Sequence, residues 1–371
     1  MNRAPTINKT HICRGGPLWP PFTWWGRHGG LPLLALAVVA CDDGHPHDQS
    51  LRGSPVFVTG VSVGPDRPMP EDGVITIGFD RYLLPSTVTR QSFALADAYN
   101  QSVETDLLPA VTYDPVARTV TLARPFALRP WLTKGLTYKL FLGIPQDDSD
   151  NSNVGGVRAI DGATLSPNQV LEFAFNVGEP NGVGSGEPTM DLCRDVMPIF
   201  TAKCSSSLCH GAGNSAAAGL VLATPAGIAN AIGRVAHGAN TGAAGVAQSA
   251  GSMFGVDMPV IDPGNPGNSW LIYKVALAAI PEQPLARPAN SCNAQANAPP
   301  PFVPLVAATQ ASDAERAVLA NAVLGTAMPY PVSSVTSYAE QALTFDEQEI
   351  LRSWIAQLTP GAATADCSAC E

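Results

Sequence analysis

Residues 203 to 211 read KCSSSLCHG, and this stretch decides what the second half of the 371-residue chain is taken to be. Cys204 and Cys209 stand with four residues between them, and His210 follows at once. Two chemistries use such a pattern. The two thiols can add across the vinyl groups of a haem, which brings the adjacent His210 under the iron. The same pair can close a disulfide loop, with His210 a bystander. The common haem spacing leaves two residues between the cysteines. A longer spacer spans the same two vinyl groups only by bulging outward.

The flanking sequence predicts helices. In DLCRDVMPIFTAKC, residues 191–204, Val196, Ile199, Phe200 and Lys203 fall at helical spacing and lead into Cys204. In TFDEQEILRSWIAQL, residues 344–358, Thr344 and Glu347 form a capping box. Ile350, Leu351, Trp354, Ile355 and Leu358 make one apolar stripe there. DPGNPGNSWLIYKVALA, residues 262–278, reads as a turn followed by a helix from about Ser269.

A haem iron held by histidine commonly takes methionine as its second axial ligand. Met1 lies in the N-terminal leader, Met69 in a strand-rich region, and Met190 and Met197 too near Cys204 to cross the ring. Met253, Met258 and Met328 remain, the last two each followed by proline. His237 is an alternative donor.

Taken in order, CRDVMPIFTAKCSSSLCHG, GLVLATP, VIDPGNPGNSWLIYKV, GTAMPYP and the 344–358 helix resemble the cytochrome c-like domains of exported proteins of the myxobacterial and planctomycete type. The resemblance spans residues 191–360. It implies an all-α domain carrying haem c, with thioethers on Cys204 and Cys209, His210 as proximal iron ligand and Met328 as distal ligand. The four-residue spacer and a long insert between 275 and 320 depart from that pattern.

Residues 55–178 follow a different period. VITIGFD, RTVTLA, LTYKLFLGI and VLEFAFNV alternate apolar and polar positions, and YDPVAR, DSDNSN and AIDGAT supply turns between them. Short strands at this spacing predict an antiparallel sandwich. Their order resembles the Ig-like domain of bacterial S-layer proteins of the SbsA type, which implies a spacer or adhesive module without catalytic residues. The acidic loop at Asp147, Asp148 and Asp150 lacks EF-hand spacing and reads as solvated. GEPNGVGSGEP, residues 178–188, lies in a linker assigned to 179–190.

At the N-terminus, Arg3, Lys9, Arg14 and Arg27 precede the apolar run LPLLALAVVA, residues 31–40, and no acid occurs before Asp42. This is the build of an export signal, too short to span a bilayer. Its end, Val38-Val39-Ala40-Cys41, resembles a bacterial lipobox, which implies cleavage before Cys41 and lipid on its thiol. A polar tether, 41–54, would follow. Loss of those four basic residues takes 21 basic side chains to 17 against 31 acidic, so the processed chain stands near −14. Such a balance excludes a nucleic-acid partner.

No nucleophile elbow, phosphate loop or paired zinc-type CxxC occurs. A di-haem peroxidase would need two Cys-His pairs, and the sequence has only Cys209-His210. Cys193, Cys292, Cys367 and Cys370 are expected to form disulfides, in any of three pairings, with 361–371 a tail. The expectation is therefore a lipid-anchored, exported, non-enzymatic electron carrier with an unnamed redox protein partner. Its rival is a haem-free structural or adhesive lipoprotein in which Cys204 and Cys209 are disulfide-linked.

Overall fold

Strands form where branched and aromatic side chains alternate with polar ones, because each face of a pleated strand takes every second residue. The computed structural model describes residues 53–99, 109–124, 131–144, 156–184, 187–206, 209–211, 216–236, 258–281, 305–306, 308, 310–323, 325–329 and 341–359. Cys41, His237, Met253, the acidic loop at 147–153, Cys292, Cys367 and Cys370 lie outside these residues.

Among these residues the strands are β1 (Val58–Val61), β2 (Met69–Pro70), β3 (Ile75–Phe79), β4 (Phe93–Asp97), β5 (Ala110–Asp114), β6 (Thr119–Ala123), β7 (Thr137–Leu142) and β8 (Glu172–Gly178). They make two four-stranded sheets, ordered β1-β3-β6-β5 and β2-β8-β7-β4. All pairings are antiparallel except β2 with β8, so the second sheet is mixed. Ile75, Ile77, Phe79, Val120, Leu122, Leu140 and Phe175 are buried in the resulting core.

Strand β3 is buried along its whole length, on both faces. One face meets the core. The other is covered in part by Val306: an added Cβ on Gly78 would sit 2.8 Å from its side chain. Glycine at 78 therefore admits a segment distant in sequence.

Among the described residues the helices that follow are α1 (Met197–Lys203), α2 (Pro225–Ala229), α3 (Trp270–Ala276), α4 (Asp313–Ala322) and α5 (Phe345–Gln357). A wider turn, Leu192–Val196, leads into α1, and Asp191 caps it by accepting from the Arg194 amide. Helix α5 carries the capping box expected of Thr344 and Glu347. Helix α3 begins after Ser269, as its sequence predicts.

The expected all-α cytochrome c-like domain is not what forms. Among the described residues the architecture is mixed, two β-sheets with five helices, and α1, α2 and α3 have 7, 5 and 7 residues. The segment between α2 and α3 makes isolated β-bridges, Ile232 to Ile261 and Val235 to Pro259. Two causes operate. Pro225, Pro259, Pro263 and Pro266 restrict helix length. The helices also share one apolar core with the sandwich instead of building their own: Ile199, Phe200, Tyr273, Leu351 and Ile355 are continuous with the strand core. At the junction Gly267 lies against β5 so closely that a Cβ there would meet the Tyr113 Cβ at 2.9 Å and its carbonyl oxygen at 3.0 Å.

Charges cross the same junction. Arg81, before β4, donates to Asp161 at 2.7 Å and to Glu315 of α4 at 3.1 Å. Arg352 of α5 is surrounded by three carboxylates: Asp114 of β5 at 3.2 Å, Glu187 at 2.8 Å and Glu349 at 2.9 Å. Burial pushes the Asp114 and Glu349 carboxyls above their usual range, and Arg352 offsets this only in part. Burial disfavours the Arg352 charge, but the carboxylates outweigh it and raise its pKa further. No helix among the described residues is long and apolar enough to cross a membrane.

Candidate functional site

Helix α1 ends where its apolar face runs out, and Cys204 is its C-terminal cap, its amide donating to the Phe200 carbonyl at 2.9 Å. Lys203, one residue earlier, is wholly buried. Its ammonium donates to the Ala342 carbonyl at 2.8 Å and to Glu347 at 2.7 Å. Glu347 also accepts the Thr344 amide in the α5 capping box. One carboxylate thus pins the end of α1 to the start of α5, and with it the position of Cys204.

The spacer then folds back on itself. The Cys209 and Gly211 amides both donate to the Ser206 carbonyl, at 2.9 and 3.1 Å, and the His210 amide donates to the Cys204 carbonyl at 3.0 Å. Four intervening residues therefore still return His210 to the backbone of Cys204. Gly211 is required by contact: a Cβ there would lie 2.8 Å from the Ser206 carbonyl oxygen. Cys204 and Cys209 are both free thiols, Cys204 buried and Cys209 half-buried. Burial, followed by the neighbouring Cys209, pushes the Cys204 thiol up to about 12. Cys193 is disulfide-bonded.

Cys204, His210 and Met328 line one open cleft of about 210 Å³. Leu220, Leu222, Val260, Trp270, Leu271 and Val275 make its apolar walls. An apolar lining with a few polar groups is that of a site for an organic ligand or cofactor. Cys209 is not among the lining residues. Met258 is not either; it is buried at the bridge beside Val235, its carbonyl accepting the Ala236 amide.

His210 is oriented from behind. Its Nδ1 lies 2.9 Å from the Leu220 carbonyl. With Nδ1 as the donor in that bond, Nε2 is the lone-pair nitrogen, the arrangement that metal-ligating histidines adopt. The His210 carbonyl accepts the Leu222 amide at 2.9 Å, which ties both ends of the residue to the 220–222 strip.

Met328 comes from a turn that leans on α3, and its peptide to Pro329 is cis. Its amide donates to the Lys274 carbonyl at 3.1 Å, and the Lys274 ammonium donates to the Thr326 carbonyl at 2.6 Å. Burial lowers Lys274 to about 8. Arg234 stands at another wall, donating to the Gly219 and Ala218 carbonyls at 2.7 and 2.8 Å.

The residues of this chain fit a haem in three respects: an apolar cleft, a histidine with Nε2 left as donor, and a methionine on the same cleft. Among the described residues no cluster of three or more His, Cys, Asp or Glu is placed to hold a metal ion. Sequence reasoning missed the Leu220 carbonyl, Trp270, Arg234 and Lys274. A backbone acceptor leaves no signal in residue types, and the other three sit in stretches that read as ordinary helix or loop.

No family model matches the chain, and no curated protein matches it. Among solved structures, the N-terminal part of the bacterial S-layer protein SbsC is similar at 13% identity, over 37% of this chain and 25% of that one, with a TM-score of 0.23. SbsC domains 1–6 are similar at 15% identity, over 37% of this chain and 15% of that one, again at 0.23. The chain spans a quarter or less of the length of these structures. The similarity is weak and stands as a similarity alone.

Proposed function

We propose that this protein carries one covalent haem c in the cleft between α1 and α3 and transfers single electrons, held to a membrane by lipid on Cys41. The observation that carries the reading is the convergence of Cys204 and His210, from one stretch, and Met328, from another, on one apolar cleft. The scaffold for it is the mixed fold described above.

A bound haem supplies an iron that alternates between ferric and ferrous states. The chain's own groups do the rest. Cys204 and Cys209 fix the ring by thioether bonds. His210 presents Nε2 with its ring held by the Leu220 carbonyl. Met328 supplies a thioether sulfur. Leu220, Leu222, Val260 and Leu271 keep water from the ring, which favours the form of lower net charge. The acidic processed chain, near −14, favours a basic or neutral redox partner through a salt-sensitive encounter.

The test is intact-mass spectrometry of the processed chain from a host that attaches haem c. A mass increase of one haem, lost in Cys204→Ser with Cys209→Ser, is the expected result. A chain without added mass, or one whose added mass survives both substitutions, overturns the assignment.

A further inference from the structure

We propose that Lys274 is the positioning residue that holds the Met328 turn against the cleft, so that the clamp on the methionine is built from α3. This rests on the haem reading for its purpose, but not for its geometry. Helix α3 is set rigidly: Trp270, Leu271, Ile272, Tyr273, Val275 and Ala276 are all buried. The Tyr273 hydroxyl donates to the Gly267 carbonyl at 2.7 Å. The amides of Trp270 and Leu271 donate to the Pro259 and Val260 carbonyls at 2.9 and 3.0 Å. Lys274 is the position on this helix from which both backbone and side chain reach the turn.

The grip is double. The Lys274 carbonyl accepts the Met328 amide, and the Lys274 ammonium reaches Thr326, two residues earlier. Just before them Gly325 adopts φ +79°, the left-handed region, which glycine takes without strain. A Cβ at 325 would lie 3.4 Å from the Lys274 Nζ. The turn is thus shaped around the ammonium. Loss of the side chain would remove the Thr326 half of that grip.

Arginine keeps the cation and a donor; methionine keeps the apolar stem and loses both. The two variants separate a positioning role from a packing role. The first readout is the Met328 methyl resonance in haem-free chain with ¹³C-methyl-labelled methionine, assigned by its loss in Met328→Leu. Lys274→Met is expected to shift the held-to-released ratio of the turn toward release by about tenfold or more, as loss of a charge-assisted bond does. The methyl signal then narrows and moves toward its unfolded position, while the buried Met69 and Met258 methyls stay in place. Lys274→Arg is expected to keep the wild-type signal.

The second readout is the methionine-to-iron charge-transfer band in haem-loaded chain. It is expected to weaken in Lys274→Met and to persist in Lys274→Arg. A Met328 methyl unchanged in Lys274→Met overturns the clamp even where haem is attached. A released methyl in a chain that never takes haem keeps the clamp and overturns the haem reading.

Discussion

The sandwich and the helical region are stabilised in different ways. Strands β3, β6 and β7 bury their own alternating faces, Ile77, Val120 and Leu140 among them, against one another. The described helices contribute to that same core: α1, α3 and α5 bury Phe200, Tyr273 and Leu351 in continuity with it. What locks the two together is charge in a buried place, Arg352 among Asp114, Glu187 and Glu349, and Arg81 between Asp161 and Glu315. A region that borrows its core is expected to unfold with its host. The cleft then inherits its rigidity from the sandwich.

The most forceful way to break this comparison is Arg352→Ala. It leaves three carboxylates at a buried junction without their cation, and the expected loss is about 3–5 kcal/mol. Denaturant titration followed by tryptophan fluorescence and by far-ultraviolet dichroism should show one coincident transition moved to lower denaturant. Two separated transitions would mean that the helical region is held on its own.

The same cluster has a pH signature. Burial raises the folded-state pKa of Glu349 above its unfolded value. Between those two values the folded chain binds more protons than the unfolded one, so this group's contribution to stability falls as pH rises. Glu349→Gln carries no ionisable group and lacks that fall. Its stability relative to wild type is expected to improve from pH 4.5 to pH 8 in paired denaturant titrations; a constant difference would sink the assignment.

Smaller effects sharpen the picture. Gly267→Ala pushes a methyl into the Tyr113 backbone and should cost about 1–3 kcal/mol, with both probes again moving together. Thr344→Ala removes one half of a capping box and should cost about 1 kcal/mol. Because Glu347 also binds Lys203, loss of that cap is expected to raise amide exchange near Cys204 as well as at the start of α5.

The contrast also explains what could be read in advance. The sandwich was legible because alternation at Ile75, Ile77 and Phe79 is a local property of the chain. The Thr344–Glu347 capping box was legible for the same reason, three residues apart. The all-α expectation failed because it extended a local pattern to a tertiary claim. Helical spacing around Phe200 or Tyr273 says that a face is buried, not what shares its core, and here that core also holds the strands. The pairing of Arg352 with Asp114 leaves no trace in sequence, since nothing near either residue marks the other. Within the cleft, Cys204, His210 and Met328 were marked by residue type and neighbours. The Leu220 carbonyl behind His210 and the Lys274 grip on the Met328 turn depend on long-range backbone contacts and were not.

The chemical state of the Cys204 and Cys209 sulfurs decides whether the cleft holds haem c, and one spectrum reads it. The processed chain, expressed with haem c maturation machinery and extracted with acid acetone, should keep its colour. Its reduced pyridine haemochrome should show the α-band of a haem joined by two thioethers. A colourless chain, with Cys204 and Cys209 joined as a disulfide in the mass spectrum, would contradict the account and leave the cleft without its proposed cofactor.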